Sequence, residues 1–322
     1  MRGSLILVPA GADQNAWQHG SGMFRSFDAR HFPAARVVAA KKGRRVSVCL
    51  PARNEAATVG QTVKAICSQL MDRHPVVDEV VVIDDGSADS TATEAALAGA
   101  RVVSAASVLP EYGTEHGKGQ AMWRGVHETS GDLIVFCDAD IRGFDPVFVL
   151  GLLGPLVTRD DVDFVKGFYE RPLDGRAGEG GRVTELMARP LISVFFPHLA
   201  DLAQPLSGEC AAPRRVLEAV PFVGGYGVDL GLLIDVTERF GTAGVVQCDL
   251  GERVHRNRSL ADLGVQALSI LQAALQRAAR SPVDLDNFRW TSDLVRPGVE
   301  PVAVSFAERP PLIQVPAYRK TA

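Results

Sequence analysis

The feature that most constrains this chain is a series of short apolar runs, separated by segments with helical patterning. Four such runs occur in the first half, at residues 45–51, 79–83, 100–103 and 132–137. Their β-branched residues and short length predict buried strands, and segments 56–71 and 91–98 predict helices between them. Strands and helices that alternate in this way form a mainly parallel sheet with helices on both faces. The expected fold class is therefore α/β.

Polar clusters stand where three of these predicted strands end. They are Pro51-Ala52-Arg53-Asn54-Glu55, Asp84-Asp85-Gly86-Ser87 and Asp138-Ala139-Asp140. In open parallel sheets, ligands bind in the crevice beyond the carboxyl ends of the strands. We therefore expect the three clusters to converge on one edge of the sheet and to form a single ligand site.

Changes of pattern divide the chain into four segments. Residues 1–44 have no clear periodicity and predict an N-terminal arm, whereas residues 45–159 carry the strand and helix alternation. Residues 160–280 alternate less and are expected to form a second half, with helices predicted at 183–196 and 260–279. The Pro-containing tail at residues 281–322 is expected to be irregular.

Charge and composition exclude several classes of function. A net charge of −4 without long runs of like charge does not favour nucleic-acid binding or polybasic membrane attachment. No stretch approaches the roughly 20 apolar residues of a membrane span, and the run at residues 5–8 is too short for a signal-peptide core. The five cysteines are scattered, which predicts reduced thiols rather than disulfides or structural zinc. We expect a soluble, cytoplasmic protein.

The segment Asp138-Ala139-Asp140 places two carboxylates on the same side of an extended backbone, because strand side chains alternate between faces. Carboxylate oxygens suit Mg²⁺ or Mn²⁺, and such an ion can neutralise a departing diphosphate. A pair of solvated turn aspartates is the alternative, since the pattern is common by chance. Its position directly after the apolar run 132–137 favours the metal site.

The three clusters together resemble the nucleotide-sugar-binding half of GT-A glycosyltransferases, including the family-two enzymes. Four further motifs narrow the resemblance: Gly117-Lys118-Gly119, Gly181-Arg182-Val183-Thr184, Gln204-Pro205-Leu206-Ser207-Gly208-Glu209 and His255-Arg256-Asn257-Arg258. Over about residues 41–280 the chain resembles the glucosyl-3-phosphoglycerate synthase family. The resemblance implies a GT-A fold and metal-dependent transfer of glucose from UDP-glucose to 3-phosphoglycerate, with retention of configuration. It also implies a homodimer, whereas the expectation of no membrane or nucleic-acid partner comes from charge and hydropathy.

The donor-binding residues that the resemblance implies are Pro51, Ala52, Arg53, Glu55, Asp84, Lys118, Asp138 and Ala139. In that family the first four positions hold uracil and ribose, the Asp84 position lies near the base, and the lysine lies beside the diphosphate. Local chemistry agrees, because Glu55 can accept hydrogen bonds from ribose hydroxyls and Asp84 from the uracil imide. Helix-start and turn roles remain open for these two carboxylates, and a solvated loop position remains open for Lys118.

The resemblance also implies metal ligands and acceptor ligands. Asp140 and His255 match the metal positions, and the acceptor positions are Gly181, Arg182, Thr184 and Asn257. A guanidinium fork suits a small phosphorylated carboxylate, so residues 160–280 are expected to form the acceptor-binding half. His255 could instead be an ordinary polar residue, and Arg256 and Arg258 could be solvated charges around a turn.

Lys118, Leu206 and Asp229 are the catalytic residues implied by the resemblance. The family's reaction is a front-face attack in which the leaving phosphate helps to deprotonate the acceptor, and the Leu206 carbonyl lies near the anomeric centre. Asp229 departs from the pattern, because glutamate is expected after Gly225-Tyr226-Gly227-Val228. Its shorter reach leaves two roles open, positioning a substrate hydroxyl or only ordering Tyr226 or a neighbouring arginine.

Two other functions remain open from the residues alone. A family-two-like glycosyltransferase with another sugar nucleotide or acceptor, such as a mannosyl transferase or one that uses a polyprenyl phosphate, shares the first three clusters. A nucleotide-sugar-binding protein without turnover would need the donor residues but no acceptor arginines.

Overall fold

The computed structural model describes residues 23–170, 181–253, 260–280 and 293–303. The strands are β1 Arg25–Asp28, β2 Val46–Ala52, β3 Glu79–Asp84, β4 Arg101–Ser104, β5 Leu133–Phe136, β6 Phe164–Glu170, β7 Cys210–Pro213, β8 Val245–Glu252, β9 Asp293–Arg296 and β10 Val299–Ala303. The α-helices are α1 Ala34–Lys41, α2 Val59–Ile66, α3 Thr91–Leu97, α4 Lys118–Glu128, α5 Val147–Thr158, α6 Arg189–Phe195, α7 Arg214–Leu217, α8 Val228–Phe240 and α9 Leu260–Ala278.

Strands β1 to β8 form one sheet in the order β1-β8-β6-β7-β5-β2-β3-β4. Every neighbouring pair is parallel except the two that involve β7, which runs antiparallel to both β5 and β6. The predicted mainly parallel α/β sheet is confirmed. Because β2 pairs in parallel with both β3 and β5, the carboxyl ends of these three strands lie at the same edge of the sheet.

Alternating side chains of the central strands fill two apolar layers. On β2 and β3, Leu50 and Val82 point to the layer that contains α2 and α5, whereas Cys49 and Ile83 point to the layer that contains α4 and α8. All four side chains are fully buried. Helices on both faces thus cover the sheet, as expected for strands that are apolar along their whole length.

The predicted elements of the first half agree closely with the structure. Runs 45–51, 79–83, 100–103 and 132–137 correspond to β2 to β5, each within one residue at either end. The helix predicted at 56–71 begins later, at Val59, because the backbone N–H of Thr58 donates to the carbonyl of Glu55 in a preceding turn. After Ile66 the chain continues as a π-helical segment, Cys67–Arg73.

The N-terminal segment differs from the expected arm in its described part. Strand β1 pairs in parallel with β8, with Phe27 opposite Cys248, and α1 packs against α5. Phe27, Phe32 and Val37 are buried in the core. These elements are only four and eight residues long, so they leave too few apolar positions for a recognisable period in the sequence.

The second half completes the same sheet rather than forming a separate one, since β6, β7 and β8 all lie between β1 and β5. The helix predicted at 183–196 is a π-helical segment, Thr184–Ala188, followed by α6, and the helix predicted at 260–279 corresponds to α9. Within the tail, β9 and β10 form an antiparallel pair, so the expected irregular structure does not hold for the residues described there.

Two further expectations concern the cysteines and the membrane. All five cysteines carry free thiols, and Cys49, Cys137, Cys210 and Cys248 are buried. None of the helices in the described ranges is both long and apolar enough to cross a membrane.

Candidate active site

A cavity of about 440 Å³ lies beyond the carboxyl ends of β2, β3 and β5. The predicted donor residues that line it are Pro51, Ala52, Arg53, Glu55, Lys118, Asp138 and Ala139. Asp140 and Tyr226 also line this cavity, and α9 closes one side with Val265 and Ser269. The convergence of the strand-end clusters on one site, expected from the parallel sheet, is what the structure shows.

Hydrogen bonds between the loops hold the strand-end clusters together. The backbone N–H of Asn54 donates to Oγ of Ser87 over 3.0 Å, and Oδ1 of Asn54 accepts from the N–H of Ala88 over 2.8 Å. Oγ1 of Thr58 donates to the carbonyl of Ala139 over 2.7 Å. The loop after β2 therefore positions both the loop after β3 and the Asp138-Ala139-Asp140 segment.

The two aspartates at the carboxyl end of β3 are placed differently: Asp84 ends the strand, and Asp85 begins the loop that follows. Asp84 accepts from the backbone N–H of Ser87 over 3.2 Å, as a turn residue does, and is not among the residues that line the cavity. Asp85 lines it and is buried, and its Oδ2 accepts from the N–H of Gly117 over 2.7 Å. Sequence reasoning missed Asp85, although it is the second carboxylate of the same cluster. The contact of Asp84 with a base stays a prediction.

Lys118 is the first residue of α4, and its ammonium group points at two carboxylates. Nζ lies 2.9 Å from Oδ1 of Asp138 and 3.1 Å from Oδ2 of Asp229. Burial alone would lower the pKa of Lys118, but the charges of Asp138 and Asp229 outweigh burial and raise this pKa well above its usual value. Lys118 is therefore a fixed cation in the wall of the cavity, not a solvated loop lysine.

The motif that contains Leu206 packs closely against this pair. A Cβ atom on Gly208 would overlap the carboxylate of Asp138 and Nζ of Lys118, so only glycine leaves the space that the ion pair occupies. Leu206 itself is half-buried two residues earlier. The close approach explains why a glycine stands immediately before the buried Glu209.

Arg253, which sequence reasoning missed, joins both aspartates of the Asp138-Ala139-Asp140 segment. Its Nη1 donates to Oδ2 of Asp138 over 3.1 Å and its Nη2 to Oδ1 of Asp140 over 2.6 Å. Nη1 also lies 2.8 Å from Oε1 of Glu209 and 2.6 Å from the hydroxyl of Tyr169. The only signal in the sequence is its place two residues before His255, because a buried arginine and a surface arginine look alike in a sequence.

Burial and neighbouring charge set the ionisation of this cluster. Burial alone would raise the pKa of Asp138, but Lys118 and Arg253 outweigh burial and hold this pKa well below its usual range. Burial raises the pKa of Glu209 above its usual value, and the charge of Arg253 opposes this shift. The cavity wall thus contains an ionised aspartate, held by Lys118 in the same wall and by the buried Arg253 behind it.

The residues around Asp140 suit a divalent cation. Its side chain is 28% exposed towards the cavity, and its carboxylate already pairs with a cation, the guanidinium group of Arg253. His255 and Asn257 lie outside the described residues, and no group of three His, Cys, Asp or Glu side chains within the described ranges could complete a metal site. The hard oxygen donors of Asp138 and Asp140 are those that Mg²⁺ and Mn²⁺ prefer.

Asp229 lies in the first turn of α8 and is buried. Burial raises its pKa, and the charges of Lys118 and Lys166 oppose the shift. Oδ2 accepts from Lys118, whereas Oδ1 is buried and has no hydrogen-bond partner in the described part of the chain. The aspartate in place of the expected glutamate still reaches Lys118, and a second acceptor atom remains for another donor.

The described acceptor residues precede α6. Gly181 has a φ of +83°, a conformation that favours glycine, and its carbonyl accepts from the N–H of Glu185 over 3.1 Å. Arg182 is exposed and Thr184 begins the π-helical segment. Gly181, Arg182 and Thr184 do not line the cavity described above, so their role as acceptor ligands stays a prediction.

Comparison with known proteins agrees with the geometry. The sequence model of glycosyl transferase family 2 matches residues 47–176. The chain is 45% identical over 293 residues to glucosyl-3-phosphoglycerate synthase of Mycolicibacterium smegmatis, a match that covers 89% of this chain and 95% of that protein. It is 39% identical over 291 residues to the synthase of Petrotoga mobilis, with 87% and 90% covered.

Solved structures resemble it over most of their length. One is glucosyl-3-phosphoglycerate synthase from Mycobacterium tuberculosis in complex with Mn²⁺, UDP-glucose and phosphoglyceric acid, with a TM-score of 0.71, 41% identity, and 87% of this chain and 94% of that chain covered. Another is mannosyl-3-phosphoglycerate synthase from Rubrobacter xylanophilus, with a TM-score of 0.76, 38% identity, and 90% and 97% covered. The GT-A fold is confirmed, and the chain belongs to the glucosyl-3-phosphoglycerate synthase family of glycosyltransferases.

Proposed function

We propose that this protein transfers glucose from UDP-glucose to the hydroxyl group of 3-phosphoglycerate, giving glucosyl-3-phosphoglycerate and UDP. The observation that carries the proposal is the similarity, at 41% identity, to a synthase solved with Mn²⁺, UDP-glucose and phosphoglyceric acid. A related structure of that synthase contains UDP and the product glucosyl-3-phosphoglycerate. The cavity at the strand ends supplies the matching donor side chains in this chain.

The donor is held along the loops that end β2, β3 and β5. Residues 51–53 and Glu55 bind the nucleoside, with Asp84 or its neighbour Asp85 close to the base. Lys118 is positioned for the diphosphate, because it lies in the cavity wall beside Asp138. Its charge acts more strongly on the departing diphosphate than on the bound donor, since negative charge on the phosphate rises as the bond to the sugar breaks.

A divalent ion, Mg²⁺ or Mn²⁺, is held by Asp140 with His255 and supplies charge neutralisation for the leaving diphosphate when bound. The Mycobacterium tuberculosis synthase has been solved in complex with Mn²⁺ together with UDP or UDP-glucose, which supports a divalent metal here. Asp140 supports this assignment within the described residues, because it lines the cavity and its side chain is 28% exposed.

The bond changes follow from retention of configuration. The bond between the anomeric carbon and the β-phosphate oxygen breaks while the acceptor hydroxyl oxygen bonds to the same face, and its proton passes to the departing phosphate. The Leu206 carbonyl lies near the anomeric carbon, and the unpartnered Oδ1 of Asp229 accepts from a substrate hydroxyl. Gly181, Arg182, Thr184 and Asn257 bind the phosphate and carboxylate of the acceptor.

Mannosyl transfer is the second candidate, because the mannosyl-3-phosphoglycerate synthase of Rubrobacter xylanophilus is similar to this chain over 90% of its length. The two reactions share the acceptor and differ in the donor.

A direct test supplies UDP-glucose, GDP-mannose and ADP-glucose separately, with and without 3-phosphoglycerate, and follows nucleoside diphosphate release and product mass. We expect acceptor-dependent UDP release with UDP-glucose. Faster turnover with GDP-mannose would show that the transferred sugar is mannose rather than glucose. Release of the nucleoside diphosphate at the same rate without 3-phosphoglycerate would contradict transfer to this acceptor.

The homodimer implied by the family is a separate proposal. Sedimentation equilibrium of the full chain tests it. A mass near twice the 34.4 kDa of one chain is expected, and a monomer at micromolar concentration would contradict it.

A further inference from the structure

The two terminal nitrogens of the Arg253 guanidinium group have different surroundings, which we call its inner and outer sides. On the inner side, Nη1 is anchored by Glu209, by the hydroxyl of Tyr169 and by Asp138. On the outer side, Nη2 makes one hydrogen bond within the described residues, to Asp140. Two of these three partners are inaccessible to water, since Glu209 is 0% exposed and Tyr169 is 2% exposed, whereas the side chain of Asp138 is 25% exposed.

Both carboxylate oxygens of Glu209 are hydrogen-bonded in this arrangement. Its Oε1 accepts from Arg253, and its Oε2 accepts from the Tyr169 hydroxyl over 2.7 Å. The guanidinium carbon also lies 5.2 Å from the centre of the Tyr169 ring, and that ring stacks on Phe148. The position of Arg253 is thus set by buried groups that do not depend on Asp140.

We propose that Arg253 is the resident counter-ion of Asp140 and competes with the divalent metal for this carboxylate, and that Glu209 and Tyr169 are the positioning residues that anchor it. The inference rests on the proposed role of Asp140 as a metal ligand. A metal ion that binds Asp140 replaces only the outer hydrogen bond, while the inner anchor keeps the guanidinium group beside Asp138. Arg253 therefore maintains the Asp138-Ala139-Asp140 segment in one geometry before and after the metal binds.

The charges of Arg253 and Glu209 predict how each substitution changes the affinity of Asp140 for a metal ion. A cation fixed beside Asp140 disfavours a second cation at the same carboxylate, and Glu209 reduces this opposition by neutralising part of the charge of Arg253. Removing the charge of Glu209 alone should therefore weaken metal binding. Removing the charge of Arg253 should strengthen it, even though turnover falls.

The experiment is a Mn²⁺ titration of the full chain without nucleotide or acceptor, with free Mn²⁺ followed by electron paramagnetic resonance. Glu209→Gln is expected to raise the dissociation constant several-fold. The double variant Arg253→Met with Glu209→Gln is expected to bind Mn²⁺ at least about tenfold more tightly than Glu209→Gln, since two like charges a few ångström apart repel each other appreciably even when they are partly solvated. The double variant removes both charges of a buried pair together, so neither partner is left unpaired in the core.

The controls separate this inference from the metal assignment. Arg253→Lys keeps a cation at the site and should not reproduce the tighter binding. If Asp140→Asn leaves Mn²⁺ affinity unchanged, the metal role of Asp140 itself is wrong. If Asp140→Asn abolishes binding while the double variant binds no more tightly than Glu209→Gln, the metal assignment stands and competition by Arg253 is overturned. Thermal unfolding of each variant checks that it is folded.

Discussion

Nζ of Lys118 lies 2.9 Å from Oδ1 of Asp138, which ties the first residue of α4 to the loop that follows β5. The same ammonium group reaches Asp229 at the start of α8, so one cation joins three elements of the cavity wall. Stability and turnover are therefore expected to depend on the same side chain.

Lys118→Met should lower both turnover and stability. It removes a point charge beside the departing diphosphate, and it leaves the buried carboxylate of Asp229 without its hydrogen-bonded cation, which costs roughly 3 kcal/mol when a buried pair is broken. Asp138 keeps its pairing with Arg253. Steady-state kinetics with saturating UDP-glucose and urea unfolding measure the two effects. Lys64→Met, at an exposed position of α2, is the matched control. Unchanged turnover in Lys118→Met would show that Lys118 has a purely structural role and does not act on the diphosphate.

Gly208→Ala should reduce UDP binding and turnover through steric overlap alone. The added Cβ overlaps the Asp138 carboxylate and Nζ of Lys118, so the ion pair must move, at a cost of about 1 to 3 kcal/mol. We expect weaker UDP binding by calorimetry and roughly five- to 150-fold lower turnover, since about 1.4 kcal/mol corresponds to tenfold. The control is Gly60→Ala in α2, whose Cβ would meet its nearest atom at an ordinary 3.4 Å and should stabilise the helix. Equal activity of both variants would show that the crowding at Gly208 is unimportant.

Arg182→Lys should damage use of the acceptor although it conserves the charge. A guanidinium group offers two parallel hydrogen bonds to a carboxylate or phosphate, whereas an ammonium group offers a point charge. We expect kcat/KM for 3-phosphoglycerate to fall by about 1.5 to 3 kcal/mol, or roughly ten- to a hundredfold, with little change in UDP affinity. Arg73→Lys, at an exposed position, is the control. Wild-type kinetics for Arg182→Lys, or equal use of glycerate, would refute this acceptor assignment.

Asp138→Asn should change the pH dependence of stability in a defined direction. Burial opposes the charge of Asp138, but Lys118 and Arg253 outweigh burial and lower its pKa in the folded protein. Its contribution to stability is therefore fully present above about pH 4, the ordinary pKa of an unfolded aspartate, and is lost as pH falls towards the folded pKa. The difference in unfolding free energy between wild type and Asp138→Asn should shrink below about pH 4. Urea unfolding from pH 7 to pH 3 measures it, and a difference that grows on acidification would contradict the sign.

Local patterns in the sequence predicted the part of the site that follows from strand ends. The runs that became β2, β3 and β5 are apolar, short and followed by polar clusters, and parallel pairing alone brings those clusters together. Lys118 was placed in the donor site by its motif, and its partners Asp138 and Asp229 emerge only from the folded chain. Asp229 lies 111 residues after Lys118, and even the separation of 20 residues from Lys118 to Asp138 exceeds the spacing at which a local pattern reveals a pair.

The burial of charged side chains and the antiparallel direction of β7 could not be predicted from the sequence for a similar reason. Arg253, Glu209 and Tyr169 lie far apart along the chain and have ordinary neighbours, so nothing local distinguishes their burial. Strand β7 begins directly after the motif that ends at Glu209 and runs antiparallel to its neighbours β5 and β6, a direction that depends on the whole topology. The strand that starts at Arg25 escaped notice because four residues carry no measurable alternation.

The pairing of β1 with β8 has a consequence for how the protein tolerates truncation. β1 forms the outer edge of the sheet, and β8 leads directly into Arg253. A chain shortened to begin at Arg45 would leave the backbone N–H and C=O groups of β8 unpaired on that side, and an exposed strand edge is a template for association between chains. Such a shortened chain is thus expected to precipitate or self-associate, although every side chain assigned to the donor cavity is still present.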